Sequence, residues 1–216
     1  MARAEVVRHY GGVSADQRRA ERRRRLLDAA RQLWGEQGPA DVTVRGVCAQ
    51  AGLTPRYFYE QFDNRDALLL AVGDEVRDQL AVTLVLASEA QPGDIWAKLN
   101  AALVAFLEVI AGDPQVHRIL TSDPSSVPGL AQQQVAASNR IVELVMDNTA
   151  RLLERVPPPD ELRRHAVFAV GGVNGLIADW LPHRTESPAE LAATATRLCR
   201  AVVRGIDRPT SSRRPD

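Results

Sequence analysis

Apolar residues recur along this chain at intervals of three and four, and no run of strict apolar–polar alternation persists. That spacing marks one face of a helix rather than one face of a strand, so the pattern predicts an all-α protein. Leu26, Leu27, Ala30, Leu33 and Trp34 form the first stripe. The helix that carries it is expected to open at Ser14, with Gln17 three residues on in the capping-box arrangement. It is expected to close at Gly38, which suits the left-handed position after a helix end. Thr43 is the next N-cap candidate, and Val44, Val47, Cys48 and Ala51 follow at helical spacing up to Gly52. Thr54 then precedes Pro55, which is tolerated at a first helical position. Three short helices thus fall within residues 14–62, the second and third split by a tight Gly52-Leu53 turn. This is a helix-turn-helix pattern.

Longer helices fill the remainder. They are expected at 65–89, at 94–111 with Leu99, Leu103, Phe106, Leu107 and Ile110 on its apolar side, and at about 114–122. A Ser- and Pro-containing loop, 123–129, separates these from a helix over 130–156 that stops at Pro157, Pro158 and Pro159. Helices over 160–181 and 188–205 follow, the last behind a second capping box of Ser187 and Glu190. About nine helices result. The division expected is a flexible basic arm at 1–13, a three-helix unit at 14–64, a helical bundle at 65–206, and a polar, disordered tail at 207–216.

The stretch LTPRYFYEQF, residues 53–62, concentrates aromatic residues in a chain that is only 5% aromatic. At about 100° per residue, Phe58 and Phe62 share one face and Arg56 and Glu60 the opposite one, with Tyr57 and Tyr59 flanking. The two Phe would anchor the helix and leave Arg56 and Tyr57 exposed in its first turn, where a recognition helix meets base edges. Arg pairs bidentately with guanine, and a Tyr ring can touch a thymine methyl or a phosphate. A helix carrying ordinary surface aromatics is the plainer reading. The coincidence of caps, turn and a neighbouring basic segment weighs against it.

Charge sharpens the picture. Lys+Arg and Asp+Glu both number 27, yet residues 1–31 hold nine Arg against four acids. A basic end on a neutral chain suits an anionic partner at that end. The two cysteines, Cys48 and Cys199, form no CxxC pair and no Cys/His cluster, so no metal is expected and a reduced, cytoplasmic setting is. The Arg-rich start lacks the apolar segment of a signal peptide. The apolar run 101–112, interrupted by Glu108, is short for a membrane span. No phosphate-binding loop, zinc-protease or dinucleotide motif occurs, and neither a cofactor nor an enzymatic activity is expected.

The segment TVRGVCAQAGLTPRYFYEQFDNRDALL, residues 43–69, together with RRLLDAARQLWGEQG, residues 24–38, resembles the DNA-binding region of TetR-family transcriptional regulators. The resemblance implies that Thr43, Arg45, Tyr59 and Arg65 touch backbone phosphates of double-stranded DNA and that Arg56 and Tyr57 read bases. Thr54, Pro55 and Gln61 complete the expected DNA-facing set. Gln61 stands where the family usually has His, Arg65 where it usually has Lys, and Gly46 where it has a polar residue. Glu60, acidic on the same side, either accepts from a cytosine amino group or repels phosphate.

Beyond residue 69 the likeness is limited to helix order and to GGVNGLIADWL, residues 171–181. It implies a homodimer through the last two helices, with Gly172, Gly175, Trp180, Leu198 and Val202 at the interface. The competing reading of the glycines is a kinked core helix within one subunit. Trp96, Phe106 and Phe168 are candidates to line a pocket for a small, largely apolar effector, against plain core packing. The reading as a whole is a ligand-responsive repressor on a palindromic operator. A helical enzyme or a protein-interaction module built on the later helices is the alternative.

Overall fold

The computed structural model describes residues 14–206, and these form nine α-helices and a single 3-10 turn, with no strand among them. The expected basic arm and tail lie outside the described residues. Helix α1 spans Ala15–Gln37. Its capping box is closed: the Ser14 Oγ accepts from the Gln17 N–H at 3.0 Å and the Gln17 Oε1 from the Ser14 N–H at 2.8 Å. Gly38, at φ 96°, turns the chain into the 3-10 turn Pro39–Asp41. Helix α2, Val44–Ala51, opens on Thr43, whose Oγ1 accepts from the Gly46 N–H at 3.0 Å. Gly52 ends it in the left-handed region at φ 62°, where a Cβ is disfavoured.

Helix α3, Pro55–Tyr59, is shorter than its sequence pattern suggests. Thr54 takes the N-cap position without a side-chain capping bond, and Pro55 opens the helix. The chain continues past Tyr59 as a turn held by the Gln61 and Phe62 N–H groups on the Phe58 carbonyl, both at 2.9 Å. Helix α4, Arg65–Ala90, starts at Asn64, whose Oδ1 accepts from the Ala67 N–H at 2.8 Å.

The remaining helices are α5 (Ile95–Gly112), α6 (Pro114–Leu120), α7 (Leu130–Ala150), α8 (Pro159–His183) and α9 (Pro188–Ile206). Asp94 caps α5 and Asp113 caps α6, each through its carboxylate. Two boundaries differ from the sequence reading. Helix α7 stops at Ala150 rather than 156, since the Leu152 N–H closes on the Thr149 carbonyl and the turn folds Leu153 into the interior. Helix α8 runs on through Pro182, whose missing N–H falls in the last turn, and ends at Arg184 in the left-handed region.

The largest core cluster joins α1 to α4 with α6 and the start of α7, around Trp34, Phe58, Leu68, Ile119 and Leu130. A smaller one, around Leu107, Ile177, Trp180 and Leu191, ties α5 to α8 and α9. A third, Val142, Ala166 and Val170, joins α7 to α8. Helix α5 is long and apolar enough to cross a membrane by length and composition. Here it packs along α4 and α9.

The seam between α1 and α6 is close. A Cβ at Gly35 would come within 2.9 Å of the Gln115 Cα. Around it the Trp34 Nε1 donates to the Ser122 Oγ at 2.9 Å, Arg31 pairs with Asp113 at 3.4 Å, and Arg118 donates to the Glu36 carbonyl.

Candidate nucleic-acid interface

Helix α3 is pinned from below and open above. Phe58 and Phe62 are buried and pack ring to ring, centroids 5.9 Å apart. The opposite face stays in solvent, with the Arg56 side chain 85% exposed and Tyr59 60% exposed. Tyr57 is also exposed, as are Thr43, Arg45, Thr54 and Pro55. Thr43 and Arg45 stand at the N-terminus of α2, where free N–H groups and the helix dipole favour an anion.

Glu60 is paired within the protein. Its Oε1 lies 3.3 Å from the Arg56 Nε, and its Oε2 lies 4.0 Å from an Arg22 guanidinium nitrogen. The carboxylate thus holds Arg56 at one end of a charge-alternating row.

The arginines of α1 at 22, 23 and 25 are engaged within the protein. Arg22 lies over the Tyr57 ring at 4.7 Å and Arg23 over the Phe62 ring at 4.5 Å. Arg25 donates to the Ala51 and Gly52 carbonyls and so caps the end of α2. Arg24 alone points along α1, paired with Glu21 and Asp28 at 2.8 Å. That pairing lowers the Glu21 carboxyl below its usual range and raises Arg24. Sequence reasoning missed this clamp. Its signal was there: Arg22 and Arg25 sit on the same face as Leu26 and Ala29, which is the buried face of α1.

Arg65 donates to the Pro39 carbonyl and to Asp66 at 3.2 Å, which ties the start of α4 to the 3-10 turn. Gln61 is half-buried between α3 and α1, with its Nε2 buried and lacking an acceptor.

The later helices depart further from expectation. A cleft of about 530 Å³ opens between α4 and α5, floored by Ala87, Ala97, Ala101 and Ala105, with Gln91, Asn100 and Glu108 as its polar groups. Trp96, Phe106 and Phe168 do not line it. Residues 97, 101, 105 and 108 share one face of α5, whereas Phe106 turns toward the core shared with α8 and α9. Trp96 packs near Arg200 at 5.8 Å, and Phe168 lies on α8 opposite Ala166 and Val170, 70% exposed.

Of the expected interface set, Gly172, Gly175 and Leu198 are exposed and Val202 is half-buried. A Cβ on Gly172 or Gly175 would meet nothing within 4 Å among the described residues. Trp180 is displaced from this set. It is 4% exposed, packs in the α5–α8–α9 core, and donates from Nε1 to the Glu186 carbonyl at 2.8 Å. Burial raises the thiols of Cys48 and Cys199 above their usual range, which makes both poor nucleophiles. Among the described residues no group of His, Cys, Asp and Glu is arranged to hold a metal.

An α1–α3 unit with a capped helix-turn-helix and an exposed Arg/Tyr face is that of a DNA-binding protein. Residues 26–72 match the family described as bacterial regulatory proteins, tetR family. The probable HTH-type transcriptional regulator ArpR of Pseudomonas putida is 26% identical over 170 residues, covering 74% of this chain and 80% of that one. SmeT, the repressor of the Stenotrophomonas maltophilia multidrug efflux pump SmeDEF, shares the fold at a TM-score of 0.64 and 20% identity, over 90% of this chain and 96% of its own. A transcriptional regulator from Rhodococcus sp. Rha1 does so at a TM-score of 0.67 and 18% identity, over 86% and 98%. Residues 26–72 are thus similar to the DNA-binding region of TetR-family transcriptional regulators, and the chain shares its fold with solved regulators. Its fold and relatives are those of regulators, which are not enzymes.

Proposed function

We propose that the protein is a homodimeric repressor, held on a palindromic operator and released by a small, largely apolar ligand. One observation carries the DNA half of this reading: Phe58 and Phe62 fix α3 to the core while Arg56, Tyr57 and Tyr59 remain in solvent beside the N-terminus of α2. Arg56 and Tyr57 read base edges. Thr43, Arg45, Tyr59 and Arg65 engage phosphates, with Thr54, Pro55 and Gln61 bordering them. Residues 14–64 form the DNA-binding unit and 65–206 the regulatory bundle, acting in the cytoplasm where the DNA is.

The exposed row of Phe168, Gly172 and Gly175 on α8, with Leu198 on α9, supports pairing of two subunits along these helices. Two-fold symmetry then requires half-sites one or more helical turns apart. The alanine-floored cleft between α4 and α5 supports an apolar ligand held by Gln91, Asn100 or Glu108. Helix α4 joins this cleft to the DNA-binding unit. A ligand that prefers the conformation with mis-spaced recognition helices shifts the population off DNA, and several kcal/mol of preference are needed to empty the operator. SmeT, which shares the fold, is a repressor, and that supports the same sign here.

The test is footprinting on the gene's own upstream region, followed by challenge of the complex with hydrophobic compounds. An inverted repeat should be protected and then released. A protected site without two-fold symmetry overturns the homodimer, and release only by highly charged compounds overturns the apolar effector.

A further inference from the structure

Where the N-terminal half of α1 passes the turn after α3, a cleft of about 350 Å³ is lined by Asp16, Arg19, Ala20, Arg23 and Gln61. Its polar groups are unbalanced. Two guanidinium groups and an amide supply N–H donors, and one carboxylate opposes them. Arg23 is fixed by the Phe62 ring, 4.5 Å from its guanidinium carbon. A ring accepts none of the guanidinium's conventional N–H hydrogen bonds. Arg19 reaches the Glu60 carbonyl only at 3.5 Å, the far limit of a hydrogen bond. The Gln61 Nε2 is buried without an acceptor. A buried donor left unmatched is costly, and native structures rarely keep one without a reason.

We propose that this cleft seats a backbone phosphate of the operator, so that the protein holds DNA through α1 as well as through α2 to α4. The proposal rests on the DNA-binding reading above. A phosphodiester is anionic and accepts hydrogen bonds without donating any, so it suits a cleft in which Gln61 lacks an acceptor and Arg19 has only a long one. The location fits. Arg19 reaches the Glu60 carbonyl, and the Glu60 carboxylate lies 3.3 Å from the Arg56 Nε, so the cleft adjoins the exposed face of α3. A base-reading residue in a major groove about 12 Å wide has the sugar–phosphate backbone close by. Arg23 thus has two contacts in one place, the Phe62 ring and the strand. Asp16 at the rim limits how strongly the site attracts anions.

The variants to compare are Arg19→Gln and Asp16→Asn, both exposed positions away from the core. Operator affinity is measured across a range of salt concentrations, with helix content checked by circular dichroism. Arg19→Gln should lower the slope of log affinity against log salt by about 0.9, the share of one phosphate contact, and weaken all operator variants equally. Asp16→Asn should tighten binding at low salt. Ethylation of one phosphate per half-site should weaken wild type, and weaken Arg19→Gln less. An unchanged salt slope in folded Arg19→Gln overturns the seat, and so does a changed base preference. Saturation of the DNA-free protein by millimolar inorganic phosphate, with that slope unchanged, makes the cleft a site for free anions and overturns the proposal. If wild type itself binds no operator, the whole interface reading falls with it. Loss confined to the variants' expected salt slope cannot be confused with that result.

Discussion

The helices that carry α3 and the helices that follow α5 are packed by different means. Around α3, one continuous cluster seals Trp34, Phe58, Leu68 and Leu130 from solvent, and arginines from α1 brace the recognition helix from the side. Around α7 to α9 the buried clusters are small and separate, while Phe168, Leu144 and Leu198 stay exposed and Gly172 and Gly175 face open space. The first region is finished within one chain. The second has apolar surface left over, as a subunit does before it meets its copy.

The widest gap should appear between two phenylalanines. Phe58→Ala removes a fully buried ring and should cost about 3–5 kcal/mol in denaturant unfolding. Phe168→Ala should change the unfolding of a dilute protomer by no more than about 0.5 kcal/mol. Equal costs would erase the contrast between the regions. Gly172→Leu sharpens it next. Within one chain the new side chain meets nothing and replaces a residue that weakens a helix by about 1 kcal/mol, so the protomer should be no less stable. Across a two-fold seam the same side chain overpacks, and sedimentation should show a shift toward monomer. A dimer of unchanged affinity contradicts the seam.

Gly35→Ala addresses the joint between the regions. Its Cβ would press on Gln115, and overpacking of that kind costs about 1–3 kcal/mol. Stability should fall by that amount, and the response to an inducer should change along with it if α6 transmits the ligand's effect to α1. The smallest effect belongs to Glu60→Gln. Losing an exposed i, i+4 pair costs only about 0.3–0.5 kcal/mol of stability, but Arg56 loses its tether, and discrimination among operator variants should relax measurably in a binding titration.

The parts of this protein legible in its sequence are those set by neighbours three or four residues apart. Ser14, Thr43, Asp94 and Ser187 announce their helices because a cap is satisfied within its own turn. The anchoring of Phe58 and Phe62 followed from helical spacing alone. What escaped depends on contacts distant in sequence. The inward face of Arg22 is marked by its spacing to Leu26, but nothing local says that its partner is Tyr57, that Trp180 will turn inward against α5 and α9, or that an alanine face of α5 will border a cleft while Phe106 turns away. Helix α7 ended early for the same reason, since Leu153 found a buried site that its own periodicity did not mark.

The central claim is that α3 reads bases through Arg56 and is positioned by phosphate contacts at Tyr59. Affinities of Arg56→Ala and Tyr59→Phe for a set of single-base-pair operator variants, at one salt concentration, test it directly. Arg56→Ala should lose about 1–3 kcal/mol of discrimination at one base pair per half-site, while Tyr59→Phe should weaken every variant alike. If Arg56→Ala weakens all variants equally, Arg56 does not read the operator and the account of α3 is wrong.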